Sequence, residues 1–76
     1  MEGERNRTVY HVKPDEAANR WLVYQENGNF KREYDRKEDA VSIARLKARL
    51  DGFSKVKVHE ANGWIDESTY GEDNAT

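Results

Sequence analysis

Apolar and polar positions alternate along most of this chain and take up a helical spacing once. In Thr8 to Lys13, TVYHVK, Tyr10 and Val12 share one strand face, and Val9, His11 and Lys13 share the other. Pro14 stops that run, and Asp15 to Arg20 reads as a loop. Trp21 to Gln25, WLVYQ, is a second strand, with Trp21 and Val23 on one side and Leu22 and Tyr24 on the other. Asn27-Gly28 then supplies the dipeptide of a tight two-residue turn, so Phe30 to Tyr34 returns as a third strand with Phe30, Arg32 and Tyr34 on one face. Further on, Lys55 to Glu60 alternates with Val56 and Val58 inward. Asn62-Gly63 repeats the turn signal, which predicts a fifth strand, Trp64 to Tyr70, with Ile65 toward the core and Trp64 away from it.

The helical spacing lies between the third and fourth of these runs. In Asp35 to Leu50, the residues Ala40, Ile43, Ala44, Ala48 and Leu50 fall on one side of a 3.6-residue spiral. Asp35 suits the N-cap and Glu38 the reciprocal position of a capping box, and Asp51-Gly52 closes the helix. The order β-β-β-α-β-β predicts an α+β fold: a single mixed, mostly antiparallel five-stranded sheet, ordered 3-2-1-4-5, with one helix packed on one face. The first and fourth strands pair at its centre.

Seventy-six residues without cysteine make one domain, placed at 8–71 and built without disulfides or thiolate metal ligands. Residues 1–7 read as a loose N-terminus and 72–76 as a disordered acidic C-terminus. The net charge of −2 is unevenly spread: up to Val58 there are thirteen Lys and Arg against ten Asp and Glu, and from His59 onward five acids and no Lys or Arg. That balance makes no electrostatic case for a nucleic-acid partner. MEGERNRT has no apolar run of the length a signal peptide needs, and no run reaches the roughly 20 apolar residues of a membrane span, so a cytoplasmic protein with no membrane partner is expected. Asn6-Arg7-Thr8 and Asn74-Ala75-Thr76 match the glycosylation pattern by chance on that reading.

Tyr10-His11-Val12-x-Pro14, Trp21-x-Val23, Ala40-Val41 with Ala44, Asp51-Gly52, Val56-x-Val58-His59, Asn62-Gly63-x-Ile65 and Thr69-Tyr70-Gly71 form an ordered set. Together they resemble a small prokaryotic family catalogued as domain of unknown function 2188, over about residues 9–71. The resemblance implies no activity, cofactor or catalytic residue. The chain departs from the family's pattern at Arg36, where Thr or Ser is usual, and at Leu46-Lys47, where a polar residue precedes Leu. At about 100° per residue Lys47 falls near the middle of the apolar arc. Either the helix rolls, or the Lys47 stem lies along the core with its ammonium in water. Ile43, Leu46 and Leu50 then form a strip, read first as flanking core and, alternatively, as a homodimer contact.

No nucleophile motif, phosphate loop or nucleotide fingerprint is present, and neither Asp66 with Glu67 nor Glu33 with Asp35 reads as an acid–base pair in a pocket. No enzyme, cofactor or small-molecule substrate is therefore expected. His11 and His59, the only histidines, fall on the sheet face away from the helix if strands one and four pair, and without a third ligand no metal site is expected. That open face gathers Val9, His11, Leu22, Tyr24, Lys31, Lys55 and Lys57, and Trp64 is the exposed aromatic beside it. The expected function is a non-catalytic module that binds a protein or itself, through Leu22, Tyr24 and Trp64 or through the Ile43–Leu46–Leu50 strip. The alternative is nucleic-acid binding on the open face, with Lys31, Arg32, Lys55 and Lys57 on phosphates and Tyr24 stacking.

Overall fold

The structure, a computed structural model, describes residues 6–71. Residues 1–5 and the expected disordered tail 72–76 lie outside it. Five strands and one helix follow in the order β1 (Thr8–Asp15), β2 (Arg20–Gln25), β3 (Lys31–Tyr34), α1 (Lys37–Asp51), β4 (Ser54–His59) and β5 (Ile65–Tyr70). They form an α+β fold with one mixed sheet ordered β3-β2-β1-β4-β5. β1 and β4 are parallel at its centre and the other three pairings are antiparallel.

β1 runs further than the proline suggested. Pro14 pairs with Trp21 and Asp15 with Arg20. Both lie past the last β4 partner, Val12↔Val58, so β1 is flanked on one side only there, a place where a strand tolerates proline. The expected loop 15–20 thus shrinks to a turn over residues 16–19. Asn19 there takes a left-handed φ of 56° and the Ala18 amide donates to the Asp15 carboxylate at 3.4 Å.

The core forms where the alternation of β1, β2 and β4 meets one ridge of α1. Tyr10, Val12, Val23, Val56 and Val58 are buried against Ala40, Ala44 and Ala48. Alanine at every fourth position lets the helix backbone lie close to the sheet. A larger side chain on that ridge would overpack the contact, at a cost of about 1–3 kcal/mol. Trp21, Phe30, Tyr34, Val41, Ile43 and Tyr70 close the margins. The buried Ser54 hydroxyl donates to the Ala48 carbonyl at 3.0 Å, and the Tyr10 phenol donates to the Asp51 carboxylate, so two polar bonds tie the helix end to the sheet. Burial and the neighbouring Asp51 push the Tyr10 phenol above its ordinary value of 10.

The helix ends as its glycine predicts and begins otherwise. Gly52 is left-handed, at φ 84°, and its amide bonds to the Ala48 carbonyl at 3.0 Å. At the start, the N-cap position is Arg36, with no side-chain cap, instead of Asp35. Asp35 instead lies 3.6 Å from the Arg20 guanidinium. Glu38 is held below the usual carboxylate range by its own backbone amide and then by Arg36. Lys37 in the first turn pairs with Glu60 at 2.6 Å, a link from the helix to the residue that follows β4, which the local sequence does not signal.

Of the two readings of Lys47, the structure shows the snorkelling one. Its side chain is half-buried and its ammonium lies 4.7 Å from the Phe30 ring centre. Leu50, expected on the buried side, is 75% exposed, because the Ala40–Ala44–Ala48 ridge turns it outward.

Candidate functional site

The open face of the sheet is fixed by strand register, since directly paired residues share a face. His11 stands between Tyr24 on β2 and Lys57 on β4, Lys13 faces Leu22, Lys31 faces Tyr24, and Val9 faces Lys55. Val9, His11, Leu22, Tyr24, Lys31, Lys55 and Lys57 are therefore brought together as the alternation predicts. β5 adds Ile65, Glu67 and Thr69, opposite His59, Lys57 and Lys55.

Trp64 and Ile65 sit on the reverse faces from those expected. The Glu60 amide bonds to the Trp64 carbonyl at 2.8 Å, and Ile65 pairs with His59, so Ile65 belongs to the open face. The loop between β4 and β5 holds three residues, not two, and one residue of slip turns every side chain over. Trp64 is 69% exposed at the corner of the sheet, away from Leu22 and Tyr24. Arg32 pairs with Val23 on the helix side and lies 5.0 Å over the Phe30 ring, so it cannot join Lys31, Lys55 and Lys57 on one ligand. The Ile43–Leu46–Leu50 strip divides: Ile43 and Leu46 border a shallow depression with Tyr34, Asp39 and Ser42, while Leu50 stands apart from it. The residues named for the two alternative contacts therefore occupy three regions: the open face, the corner of the sheet and the outer side of α1.

At the middle of the open face is a chain of hydrogen bonds. His11 Nε2 lies 2.6 Å from a Glu26 carboxylate oxygen, and His11 Nδ1 lies 3.0 Å from His59 Nε2. Glu26 is held below the usual carboxylate range, first by its bond to His11, so it is an anion that can only accept. His11 Nε2 therefore carries a hydrogen. Tyr24 stacks on the other side of His11, with centroids 4.9 Å apart and planes 17° from parallel. The two imidazole centroids are 5.2 Å apart, close to the nitrogen separation plus one ring radius from each side. The lone pairs thus point at each other, the geometry of one shared hydrogen. Among the described residues no group of three or more metal-ligating side chains converges.

The charges on this face are not evenly matched. Glu26 bonds His11, Glu33 lies 3.7 Å from Arg20, and Glu67 pairs with Lys55 at 3.2 Å. Lys13, Lys31 and Lys57 have no ion pair within 4 Å among the described residues. Lys13 and Lys31 flank an open groove of about 730 Å³ whose lining includes Leu22, Tyr24 and Phe30. A family model described as an uncharacterized protein conserved in bacteria, domain of unknown function 2188, matches residues 10–70. The chain belongs to that family. No curated protein and no solved structure matches it.

In this family member the sequence reading found the lysines and Tyr24 but missed Glu26, Lys13 and the histidine bond. Glu26 was missed because it reads as a turn residue; its amide bonds to the Val9 carbonyl at 2.8 Å, which continues the β1–β2 register by one position and keeps Glu26 on the face of Leu22 and Tyr24. The histidine pair was foreseeable as neighbours from β1–β4 pairing. Its bond length was not.

Proposed function

We propose that this domain is a non-catalytic interaction module whose working surface is the open sheet face and whose partner is an acidic segment of another protein. The observation that carries this reading is the imbalance just described: every glutamate of the face is engaged and Asp15 accepts from the Ala18 amide, while Lys13 and Lys31 face water beside Leu22 and Tyr24 and Lys57, half-buried next to His11, has no ion pair among the described residues. An acidic peptide with an apolar residue supplies carboxylates to the lysines and fills the groove between them. A polyphosphate suits the surface less well, because its unbroken negative charge would also lie against Glu26, Glu33 and Glu67. No helix among the described residues is long and apolar enough to cross a membrane.

The test compares proteins captured from the bacterial cell by the wild-type domain, by Lys13→Glu/Lys31→Glu, and by Trp64→Ala. Species held by wild type and by Trp64→Ala but lost with the double variant support the open face. Loss with Trp64→Ala alone moves the contact to the corner of the sheet and overturns the reading. A second reading, single-stranded nucleic acid, is favoured by the Tyr24–His11 stack as a platform for bases. It requires binding of a thymidine oligonucleotide that weakens steeply from low to moderate salt.

A further inference from the structure

The His11–His59 bond lies among the groups assigned above to partner binding, yet nothing in simple charge attraction needs two imidazoles joined nitrogen to nitrogen. His11 is nearly enclosed, with its side chain 12% exposed. Around it are Tyr24 from β2, Glu26 from the β2–β3 loop, Lys13 from β1, and Lys57 and His59 from β4. β5 sets Ile65 opposite His59 and Glu67 opposite Lys57, and α1 lies on the far side of the sheet.

The hydrogen count follows from the geometry. Glu26 fixes a hydrogen on His11 Nε2. The 3.0 Å gap between His11 Nδ1 and His59 Nε2 then holds one hydrogen, whichever ring owns it. With both rings neutral, His59 donates to His11. With one extra proton, His11 donates to His59 through the same gap, and the bridge survives. A second extra proton sets N–H against N–H, and the rings must part.

We infer that the His11–His59 pair is a proton-operated switch in the middle of the partner-binding face: its second extra proton breaks the bridge, frees His59 beside Lys13 and Lys57, and raises the positive charge offered to an acidic partner. This inference rests on the open face being the binding surface. The direction of the His59 equilibrium agrees with it. Burial first, then the charges of His11, Lys13 and Lys57, hold His59 below its ordinary 6.5, so the bridge is intact near neutrality and opens on acidification. Linkage makes the effect reciprocal: an anion on the face favours the second proton, and the second proton favours the anion.

The experiment has two arms on the intact chain. In the first, imidazole ¹⁵N shifts are followed from pH 7.5 to 4.5 in wild type and in His11→Gln. Expected are a bridged pair at neutrality, His59 protonating below 6.5 with concerted shifts at Tyr24, and a rise toward 6.5 when His11 is gone. Two independent, ordinary titrations would overturn the switch. In the second arm, a fluorescein-labelled deca-aspartate peptide is titrated at pH 7.5 and 5.5 against wild type and His59→Gln. Tightening of about 3- to 10-fold at pH 5.5, absent in His59→Gln, supports the switch, a tenfold change corresponding to a one-unit coupling between proton and anion. Equal binding at both pH values overturns the switch and leaves the binding reading standing. No binding at either pH, with the first arm as expected, overturns the acidic partner and leaves the proton switch standing.

Discussion

Asn27-Gly28 and Asn62-Gly63 are the same dipeptide set between two strands, yet they sit in loops of different parity. The β2–β3 loop closes at the bond from the Gln25 amide to the Phe30 carbonyl, with four residues between. The β4–β5 loop closes at the bond from the Glu60 amide to the Trp64 carbonyl, with three. In the first, Asn27 takes the left-handed φ, at 60°. In the second, Gly63 does, at 91°. Replacing an expected two-residue turn by four residues keeps the strand register, whereas replacing it by three shifts the register by one. Hence the side chains of β3 face as their alternation predicts and those of β5 face the other way. A turn dipeptide announces that the chain reverses; the pair of residues that closes the reversal decides which surface each later residue serves.

A residue beneath the helix and one on the open face should answer truncation very differently. Val23 on β2 is fully buried under α1, and Val23→Ala is expected to lower stability by about 2–3 kcal/mol, read as a shift of the urea midpoint at unchanged slope. A loss under about 1 kcal/mol would mean that the helix does not lie over β2 as described.

The loops themselves separate next. At Gly63 the positive φ strains any L side chain, so Gly63→Ala should cost about 1–2 kcal/mol. Gly28 has no positive φ, and the atoms nearest an added Cβ all belong to the Gln25 side chain, which can swing away. Gly28→Ala is expected to stay within about 0.5 kcal/mol. If the two glycines prove equally sensitive, the loops have the same geometry and the distinction fails.

How much of this was legible beforehand divides along the same line. Strand order, the β1–β4 pairing and the Ala40–Ala44–Ala48 ridge follow from period-2 and period-3.6 patterns, and each position in a long pattern corroborates the others. Features that depend on one local choice were not legible. Asp35 fits an N-cap by type, but Arg20 from β2 draws its carboxylate. Glu26 reads as a turn residue, but its bond to the Val9 carbonyl extends the β1–β2 pairing and sets its carboxylate against His11. Trp64 and Ile65 alternate correctly with one another but take their absolute facing from the pairing of Glu60 with Trp64 that closes the loop. Competing hydrogen bonds and loop closure, rather than propensity, settle such positions.

Removing Ala61 tests that dependence directly. It leaves Asn62-Gly63 as a two-residue loop between Glu60 and Trp64 and need not disturb the pairing of Val58 with Asp66. The expected outcome is a stability change below about 1 kcal/mol, with the Val58–Asp66 cross-strand contact still seen by NMR. If Ile65 moved to the helix side in that variant, the register would be set by the dipeptide and not by the strands.

Ile65→Ala gives a small energetic effect and the sharpest discrimination. Were Ile65 a core residue, as a two-residue turn would make it, truncation would cost about 2–5 kcal/mol. On the open face and 48% exposed, it should cost under about 1 kcal/mol. Its effect should appear instead in the titration of His59, its direct cross-strand partner. Burial is the first cause of His59's lowered value, so exposing that ring to water should let it rise toward 6.5. A lowered histidine means that the unfolded chain binds more protons. Its stabilising contribution is therefore complete above about 6.5 and is lost as pH falls through the depressed value. In Ile65→Ala that decline should still start near 6.5 but finish at a higher pH and be smaller in total, because the gap between folded and unfolded titrations has narrowed. A variant that loses several kcal/mol while His59 titrates unchanged would place Ile65 beneath the helix and return the β5 side chains to the faces that a two-residue turn gives them.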